Sequence, residues 1–423
     1  MRRLESRIIR DKKELENLLK IRKEATEVSA TVEEIINDVK RRGDIAIIEY
    51  SRRFDGIDFS TPEDFRVPRE EIDNSLKVVD REFISSVEKA IENIREFYLK
   101  MPRPQNWFYI KNGKLSGQMV IPLESVGIYV PGGKAPYPST VLMAGVPAEI
   151  AGVKRIAVTT PKPVPEVLAV CKLLDIYEIY RLGGAYAIAS LAYGTHTIPK
   201  VDKIVGPGNR YVVSAKKLVF GDVGIEMIPG PSEIVILADK SANPEFVAID
   251  LLSQAEHDPL AMSILITNSE ELAGKVIKTL EKAIKELSTY ETAKSSWESW
   301  GGIVIVESLD EGIEMVNLIA PEHLELQIED PLSYLEKIKN AGTVFLGHKT
   351  PEAIGDYIAG SSHILPTGGS ARFSSGLSIL DFLKVINITQ YIDVTEDFDL
   401  ASIIAEKEGF SAHKKSLEIR KGE

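Results

Sequence analysis

The sequence contains a single cysteine, Cys171, among its 423 residues. One thiol can form no disulfide within the chain and cannot supply the paired cysteines of a zinc knuckle; its place in a predicted helix favours packing over nucleophilic chemistry. The apolar run at residues 141–153 is too short to span a bilayer, and Pro147 and Glu149 interrupt it. The amino terminus is charged and lacks the apolar core of a signal peptide. We therefore expect a soluble cytoplasmic protein.

Several common catalytic motifs are also missing. The sequence has no HExxH, no GxSxG, no Walker A motif and no GxGxxG. These absences exclude a zincin helix, a hydrolase nucleophile elbow, a P-loop and the usual dinucleotide fingerprint. Basic residues are in the minority, with 51 Lys and Arg against 63 Asp and Glu and a net charge of −12. This balance argues against nucleic acid as the main partner.

The composition is that of a globular protein, with 44% hydrophobic and 27% charged residues. Residues 1–112 are predicted to be mostly helical; one helix begins near Thr31 and ends near Gly43, and another covers residues 82–100. From about residue 117, short Val- and Ile-rich runs alternate with helical stretches, which is the βαβ rhythm of a parallel sheet. Beyond about residue 378 this rhythm gives way to a small mixed tail whose last helix begins at Ser411. The predicted fold class is α/β, with two open, mostly parallel Rossmann-like sheets, a helical N-terminal arm and a small C-terminal tail domain.

Glycine-rich turns follow three predicted strands, where ligands bind in open α/β sheets. They are Gly132-Gly133 after Tyr129, Gly183-Gly184, and Gly206-Pro-Gly208 before Asn209. A fourth, Pro229-Gly-Pro-Ser232, precedes a strand. Backbone N–H groups at such turns can approach a phosphate. Each turn alone is typical of any α/β fold. For the three turns together, a ligand-binding cleft and simple tight turns are equally good interpretations.

Histidine is scarce, and four of the six histidines lie in short polar segments with a carboxylate or amide close by. These histidines are His257, His323, His363 and His413. A neutral imidazole is the commonest metal ligand and a ready base near pH 7. Gln254 and His257 are predicted on one face of a helix end, where they could ligate zinc. The alternative for each segment alone is an ordinary polar helix end or a solvated surface.

Three further acidic positions accompany these histidines. Adjacent Glu322 and His323, at the entrance of a predicted strand, could share base duties, one for an alcohol proton and one for a water. Asp356 lies on a helix predicted to begin at Pro351. Glu408 lies upstream of His413, which is predicted in the first turn of the last helix. Each residue has a structural alternative, a packed histidine or a solvated acid.

Taken together, these segments resemble the histidinol dehydrogenase family over nearly the whole chain. The resemblance rests on the order and spacing of seven segments: Gly127-Ile-Tyr129-Val-Pro-Gly-Gly, Val201-Asp-Lys-Ile-Val-Gly-Pro-Gly-Asn209, Gly230-Pro-Ser232-Glu, Ser253-Gln254-Ala-Glu-His257-Asp, Ala320-Pro-Glu322-His323-Leu, Gly355-Asp356-Tyr and Ala412-His413. It implies an oxidation of L-histidinol to L-histidine in two steps, through a bound aldehyde, with two NAD+ and one Zn2+ per subunit.

The resemblance also implies roles for individual residues. The positions that match zinc ligands are Gln254, His257, Asp356 and His413. Glu322 and His323 match the acid/base pair. The substrate contacts are Ser232, His363 and Glu408 together with His323 and the four zinc ligands. Tyr129 and Asn209 match NAD contacts. The third NAD position holds Tyr186 where the family commonly has glutamine, and a hydroxyl can replace only one of the two amide hydrogen bonds.

The resemblance implies a division of the chain and a homodimer. Residues 1–25 are expected to form the arm, residues 26–128 and 238–378 a discontinuous first α/β domain, residues 129–237 an NAD-binding α/β domain, and residues 379–423 a dimer-exchange domain. The C-terminal tail would carry Glu408 and His413 to the partner's site. The partners expected are L-histidinol and NAD, with no nucleic acid and no membrane.

Three other interpretations remain open. The first is a relative with the same machinery that oxidises another amino or sulfonated alcohol. The second is a zinc hydrolase in which Glu322 activates water, which would leave the turns near Tyr129 and Asn209 without a role. The third is a catalytically silent metal-binding or scaffold protein, which the intact pair of Glu322 and His323 disfavours.

Overall fold

The structure, a computed structural model, describes residues 7–9, 11–24, 30–132 and 136–422. Gly133 of the first glycine turn and residues 1–6 of the amino terminus lie outside the described residues. The helices are α1 (Lys12–Glu24), α2 (Ala30–Arg42), α3 (Asp44–Tyr50), α4 (Arg69–Val78), α5 (Arg81–Lys100), α6 (Pro138–Ala151), α7 (Pro165–Leu173), α8 (Gly184–Tyr193), α9 (Arg210–Val219), α10 (Pro244–Ala255), α11 (Glu270–Ala283), α12 (Tyr290–Trp300), α13 (Leu309–Ile319), α14 (Glu352–Tyr357), α15 (Glu396–Lys407) and α16 (Ser411–Glu418).

The strands are β1 (Ile8–Ile9), β2 (Trp107–Lys111), β3 (Lys114–Pro122), β4 (Ser125–Tyr129), β5 (Arg155–Thr159), β6 (Glu178–Tyr180), β7 (Lys203–Val205), β8 (Gly224–Ile225), β9 (Glu233–Ala238), β10 (Met262–Thr267), β11 (Gly302–Ile305), β12 (His323–Gln327), β13 (Thr343–Leu346) and β14 (Leu383–Tyr391). The chain divides into two compact units: Met1–Lys100 with Glu124–Asp381, and Met101–Leu123 with Phe382–Glu423. The first unit contains two parallel sheets, as predicted.

The six-stranded sheet of the first unit has the order β1-β11-β10-β9-β12-β13, and its pairings are parallel. The chain moves outward from β9 to β10 and β11, then returns to place β12 on the other side of β9. Strands β9, β10 and β12 are buried along their whole length, as expected for a parallel sheet covered on both faces. The boundary between β9 and β12 is therefore the point where the strand order reverses.

The five-stranded sheet has the order β6-β5-β4-β7-β8 and is also parallel. Its order reverses between β4 and β7, so both sheets share the doubly wound arrangement of a mononucleotide-binding fold. Helix α8 is buried over most of its length because it is composed almost wholly of small and apolar residues. The lone thiol, Cys171 on α7, is fully buried, which confirms its predicted packing role.

The amino-terminal segment contributes to the six-stranded sheet. Ile8 and Ile9 pair with β11 as an edge strand, and Leu15 and Leu18 of α1 are buried in the core of this sheet. The helical segment expected at the amino terminus is present within the first unit, where its apolar face packs against the six-stranded sheet.

The second unit is built on an antiparallel sheet of order β14-β3-β2. Strands β2 and β3 form a hairpin whose two-residue turn, Asn112-Gly113, has φ values of 51° and 72°, as a type I′ turn requires. Residues 1–112 are mostly helical, as predicted, and Trp107–Lys111, which forms strand β2, is an exception. Helices α15 and α16 follow β14, and Ser411 begins α16 as predicted. Across the described residues, no helix combines the length and apolar character needed to cross a membrane.

Candidate active site

A buried polar cluster lies at the amino-terminal ends of β9 and β12, where the strand order of the six-stranded sheet reverses. Glu233 is the first residue of β9 and His323 the first of β12, and the register sets His323 beside Ile234. Glu322 directly precedes His323. Ligands in open parallel sheets usually bind at the carboxyl ends of strands, so this cluster departs from the edge that the sequence argument favoured.

The imidazole of His323 is held through one ring nitrogen. Its Nδ1 lies 3.1 Å from the Gln254 side-chain oxygen and 3.2 Å from the Glu233 carbonyl oxygen. Because both neighbours are acceptors, Nδ1 must carry the proton and Nε2 must carry the lone pair. Burial lowers the pKa of His323 to about 4, so the ring is neutral near pH 7.

The carboxyl group of Glu322 is fixed by backbone. Its Oε2 accepts a 2.9 Å hydrogen bond from the Glu233 N–H, and the Ser232 side chain also hydrogen-bonds to it. Burial raises the pKa of Glu322 well above its ordinary value. Glu322 and His323 thus both contact the backbone of Glu233, and His323 Nδ1 lies 4.0 Å from Glu322 Oε2.

Helix α14 brings two carboxyl groups to the free side of the His323 ring. The Nε2 atom of His323 lies 3.7 Å from Glu352 Oε1 and 3.9 Å from Asp356 Oδ1. Burial, followed by the charge of Asp356, raises the pKa of Glu352. Glu352 was not predicted as a site residue, although its position four residues before Asp356 on a predicted helix puts both on one face.

His363 and His257 complete the polar surroundings. His363 Nδ1 donates a 3.0 Å hydrogen bond to the Asp356 carbonyl oxygen and lies 3.9 Å from its Oδ1. Burial lowers the pKa of His363, and the charge of His257 lowers the pKa of both His323 and His363. Helix α10 ends at Ala255, so His257 lies in the turn after the helix. The prediction that His257 projects from the helix itself is therefore wrong.

The cluster has the donor set of a divalent cation site. Within the described part of the chain, the ligand atoms of His323, Glu352 and Asp356 lie within 4.8 Å of one another. His323 Nε2, Glu352 Oε1 and Gln254 Nε2 are buried and have no hydrogen-bond partner among the described residues. Buried polar atoms normally have a partner, and imidazole with carboxylate oxygens suits zinc or a similar ion. The residues present therefore fit a metal ion.

A second candidate region lies at the carboxyl ends of the five-stranded sheet. Tyr129 ends β4, and its hydroxyl accepts a 3.1 Å hydrogen bond from the Gly184 N–H. Gly206 follows β7 with φ of 117°, and an added Cβ would lie 2.2 Å from the Tyr129 carbonyl oxygen, so only glycine fits there. Asn209 begins α9, and its side-chain oxygen accepts from the N–H groups of Tyr211 and Val212. Tyr129 and Asn209 thus flank the reversal between β4 and β7, the usual ligand position.

Tyr186 lies beneath the Gly183-Gly184 turn and is 1% exposed. Its hydroxyl donates a short hydrogen bond to Asp55 and accepts from Ser51 Oγ at 3.1 Å and from the Gly183 N–H at 3.3 Å. Burial raises the pKa of Tyr186. The hydroxyl is therefore fully engaged within the protein, and it supports the turn from below.

The structure separates the predicted residues into three groups. The amino-edge cluster contains or adjoins Ser232, Gln254, His257, Glu322, His323, Asp356 and His363. Tyr129, Tyr186 and Asn209 belong to the other sheet. Glu408 and His413 lie in the second unit, at the end of α15 and in the first turn of α16, and both are exposed.

Comparisons with known proteins match almost the whole chain. A family model described as histidinol dehydrogenase matches residues 19–421. Histidinol dehydrogenase of Geobacter metallireducens is 49% identical over 94% of this chain and 93% of its own length, and that of Thermotoga maritima is 48% identical over 97% of both. The crystal structure of histidinol dehydrogenase from Elizabethkingia anophelis matches at a TM-score of 0.90 and 35% identity, over 99% of this chain and 98% of that one. The chain belongs to the histidinol dehydrogenase family.

Proposed function

We propose that this protein oxidises L-histidinol to L-histidine in two NAD-linked steps through a bound aldehyde. The observation that carries the proposal is the buried pair of Glu322 and His323 at the start of β12, where His323 also lies with the carboxyl groups of Glu352 and Asp356 in a group that fits a metal ion. An alcohol oxidation of this kind needs a base for the alcohol proton, an acceptor for the hydride and a base for the water that hydrates the aldehyde.

His323 is proposed as the base for the alcohol. Its Nδ1 proton is committed to the Gln254 and Glu233 oxygens, so Nε2 is the atom that can take the alcohol proton. Bound NAD+ would supply the hydride acceptor in both oxidations. The low pKa of His323 keeps Nε2 unprotonated near neutral pH, as a base requires.

Glu322 is proposed to activate the water that adds to the aldehyde. Burial raises its pKa, which makes its carboxylate a stronger base for a water proton than a solvated glutamate. The 2.9 Å hydrogen bond from the Glu233 N–H fixes one oxygen and leaves the other for water. Once His323 has released the first proton to solvent, the hydrated aldehyde would lose a hydride to a second NAD+ and a hydroxyl proton to His323. The carboxylic acid formed then ionises to the carboxylate of histidine.

The proposed metal is Zn2+, held by Gln254, His257 and Asp356 with His413 as the fourth ligand. This ligand set shares Asp356 with the group of His323, Glu352 and Asp356 and leaves His323 Nε2 free for the alcohol proton. A bound zinc ion would orient the imidazole and amine of the substrate. The Asp356 carboxyl lies 3.9 Å from His323 Nε2, and the Gln254 side-chain oxygen lies 3.1 Å from His323 Nδ1. Both side chains therefore adjoin this imidazole, which supports a metal site near it. Ser232, His363 and Glu408 are proposed to contact the substrate; among them, Ser232 and His363 adjoin the catalytic pair.

NAD+ is proposed to bind at the carboxyl edge of the five-stranded sheet, near Tyr129 and Asn209. The reversal of strand order between β4 and β7 supports this position, as does the close approach of Gly206 to Tyr129. Tyr186 is proposed to act through the Gly183 N–H that its hydroxyl supports. The division at residues 129–237 and the cytoplasmic location remain predictions.

A homodimer is proposed because the second unit exposes many apolar side chains. Phe108, Ile110, Ile403, Ile404 and Phe410 are each more than half exposed, at 51%, 67%, 55%, 59% and 53%. Such a concentration is typical of an interface. We propose that residues 379–423 cover the partner subunit and carry Glu408 and His413 to its site.

The test is the stoichiometry of purified protein supplied with zinc, L-histidinol and excess NAD+. We expect two NADH for each histidinol consumed, read from NADH absorbance and from histidine by chromatography. The matched variant Glu322→Gln should release one oxidation equivalent and accumulate aldehyde, because only the water step needs this carboxylate. If histidinol is ignored while another amino alcohol reduces NAD+, the substrate assignment fails; if no alcohol does, the dehydrogenase assignment fails.

A further inference from the structure

The guanidinium of Arg22 is buried against the candidate active site, although it comes from the amino-terminal helix α1. Arg22 is 4% exposed. Its Nε donates to the Leu260 carbonyl oxygen at 3.0 Å, one terminal nitrogen forms a short ion pair with Glu233, and the other donates to the carbonyl oxygens of Pro231 and Ser232 at 2.9 and 3.2 Å. The guanidinium thus holds three consecutive residues at once, which its planar fork of donors makes possible.

Two of these three residues, Ser232 and Glu233, contact the catalytic pair. The Glu233 N–H donates to Glu322 Oε2 at 2.9 Å, and the Glu233 carbonyl oxygen lies 3.2 Å from His323 Nδ1. The Ser232 side chain also bonds to Glu322. Both proposed bases are therefore oriented by a backbone segment whose own position depends on Arg22.

We infer that Arg22 is a positioning residue for the oxidation, acting on Glu322 and His323 through Ser232 and Glu233. The inference rests on the proposed function. Among the described residues, no hydrogen bond or ion pair joins Arg22 to either base, so its effect passes through the orientation of their hydrogen-bond partners. Catalytic groups must be held within a fraction of an ångström of their working position, and small misplacements lower the rate steeply.

The main variant is Arg22→Lys. Lysine keeps the positive charge beside Glu233 but cannot donate to Leu260, Pro231 and Ser232 from one rigid plane. We expect kcat for histidinol oxidation to fall by about 10–100-fold, with the KM for NAD+ unchanged, because Tyr129 and Asn209 belong to the other sheet. A variant that keeps the wild-type kcat would overturn the inference.

Two variants on α1 separate positioning from simple docking of the helix. Leu18→Ala removes buried apolar packing but leaves the guanidinium in place, so we expect a lower melting temperature and a kcat within about twofold of wild type. Lys20→Met alters an exposed side chain of the same helix and should change neither quantity. If Leu18→Ala lowers kcat as much as Arg22→Lys does, then Arg22 only docks α1 and the inference fails.

Chemical rescue supplies a second test. In Arg22→Ala, added guanidinium ion should restore part of kcat, while sodium at the same ionic strength should not, because only guanidinium reproduces the planar set of donors. Equal effects of the two salts would contradict a positioning role.

A readout without substrate distinguishes failure of this inference from failure of the proposed function. The ring-nitrogen NMR signals of His323, assigned by their loss in His323→Asn, report the Nδ1 contact with Glu233. These signals should shift in Arg22→Lys and stay in place in Leu18→Ala. Unchanged signals in Arg22→Lys would refute the role of Arg22 whether or not histidinol is the substrate.

Discussion

At the scale of single residues, the hydroxyl of Tyr186 joins the segment Ser51–Asp55 to the turn at Gly183. It donates to Asp55 and accepts from Ser51 Oγ and the Gly183 N–H, so its donor and both acceptor positions are used. Desolvation raises the pKa of Asp55, and its hydrogen bond with Tyr186 opposes that rise. Loss of the hydroxyl therefore leaves three partly or fully buried polar groups without this partner.

We predict that Tyr186→Phe lowers the free energy of unfolding by about 1–3 kcal/mol, the cost of leaving buried polar groups unpaired. Urea denaturation followed by circular dichroism measures the change. The matched control is Tyr193→Phe on the same helix, whose hydroxyl bonds to an exposed carboxylate, Asp222, at 2.8 Å. Its loss should cost about 0.5 kcal/mol or less. Equal losses in the two variants would show that the Tyr186 network contributes nothing specific.

A catalytic role could be predicted from the sequence where all the residues it needs lie in one short segment. The sequence shows that Glu322 and His323 are adjacent at the start of a predicted strand. It does not show their burial or the free Nε2 atom, because these depend on Gln254 and Glu233, which lie in distant elements. Arg22 offered only helical spacing. A guanidinium that bonds to backbone carbonyls leaves no trace in the identity of the residues it contacts.

At the scale of elements, strand β12 carries a row of buried polar side chains. His323, Glu325 and Gln327 alternate along one face of the strand, and all its residues are buried. Gln327 donates to Glu325 at 2.7 Å and to Asp250 of α10 at 2.9 Å, and Glu325 accepts from the N–H of Glu352 at 2.7 Å. Glu325 thus caps helix α14, which carries Glu352 and Asp356. Strand β12 therefore positions the candidate metal site twice, directly through His323 and indirectly through α14.

Burial raises the pKa of Asp250 and of Glu325, and the charge of Asp250 raises the pKa of Glu325 further. Between their unfolded values near 4 and these raised values, the folded protein binds more protons than the unfolded chain. Its stability therefore falls as pH rises through this window. Asparagine does not titrate and can donate to Glu325, so Asp250→Asn should remove part of that fall.

We predict that the stability of Asp250→Asn relative to wild type rises between about pH 5 and about pH 8. Urea unfolding with a chelator present measures the difference at each pH. Glu271→Gln is the control, because Glu271 is an exposed carboxylate whose pKa is lowered by Lys275 and should give no such rise. A pH-independent difference for Asp250→Asn would contradict a raised carboxyl pKa at this site.

The alternation of strands and helices between residues 125 and 346 could be predicted because each element carries its own periodicity. The Val- and Ile-rich runs at residues 155–159, 203–205, 233–238, 262–267 and 343–346 coincide with strands β5, β7, β9, β10 and β13. The β2–β3 hairpin was missed although Asn112-Gly113 is a strong two-residue turn signal. Strand β2 is hard to recognise in the sequence because Trp107–Lys111 is exposed on both faces. Such a strand lacks the alternation of apolar and polar residues that marks a half-buried strand.

At the scale of the whole molecule, the candidate residues divide between the two units. Glu322, His323 and Asp356 lie in the first unit, and Glu408 and His413 lie in the second. A second unit made of a hairpin, one long strand and two helices exposes apolar residues on α15, among them Leu400, Ile403 and Ile404. Exposure of such apolar surface to water is unfavourable in free energy. We propose that a second copy of the chain buries it. No local pattern predicts which subunit a tail serves, because that depends on the symmetry of the assembly.

The crossed tail can be tested by mixing two inactive proteins. His323→Ala disables the first unit of its own chain, and His413→Ala disables the tail. If each tail serves the partner's site, a mixed dimer has one intact site, built from the first unit of the His413→Ala chain and the tail of the His323→Ala chain. Random reassortment makes half the dimers mixed, so we predict recovery of about a quarter of wild-type activity after co-refolding.

The control pairs His323→Ala with Glu322→Ala. Both lesions lie in the first unit, so every site in every mixed dimer retains one of them, and no activity should return. Formation of mixed dimers is checked by mass spectrometry of differently tagged chains, which removes failed exchange as an explanation. Mixed dimers of His323→Ala and His413→Ala that stay inactive would mean that His413 serves its own subunit or lies outside the site, and the proposed tail exchange would be abandoned.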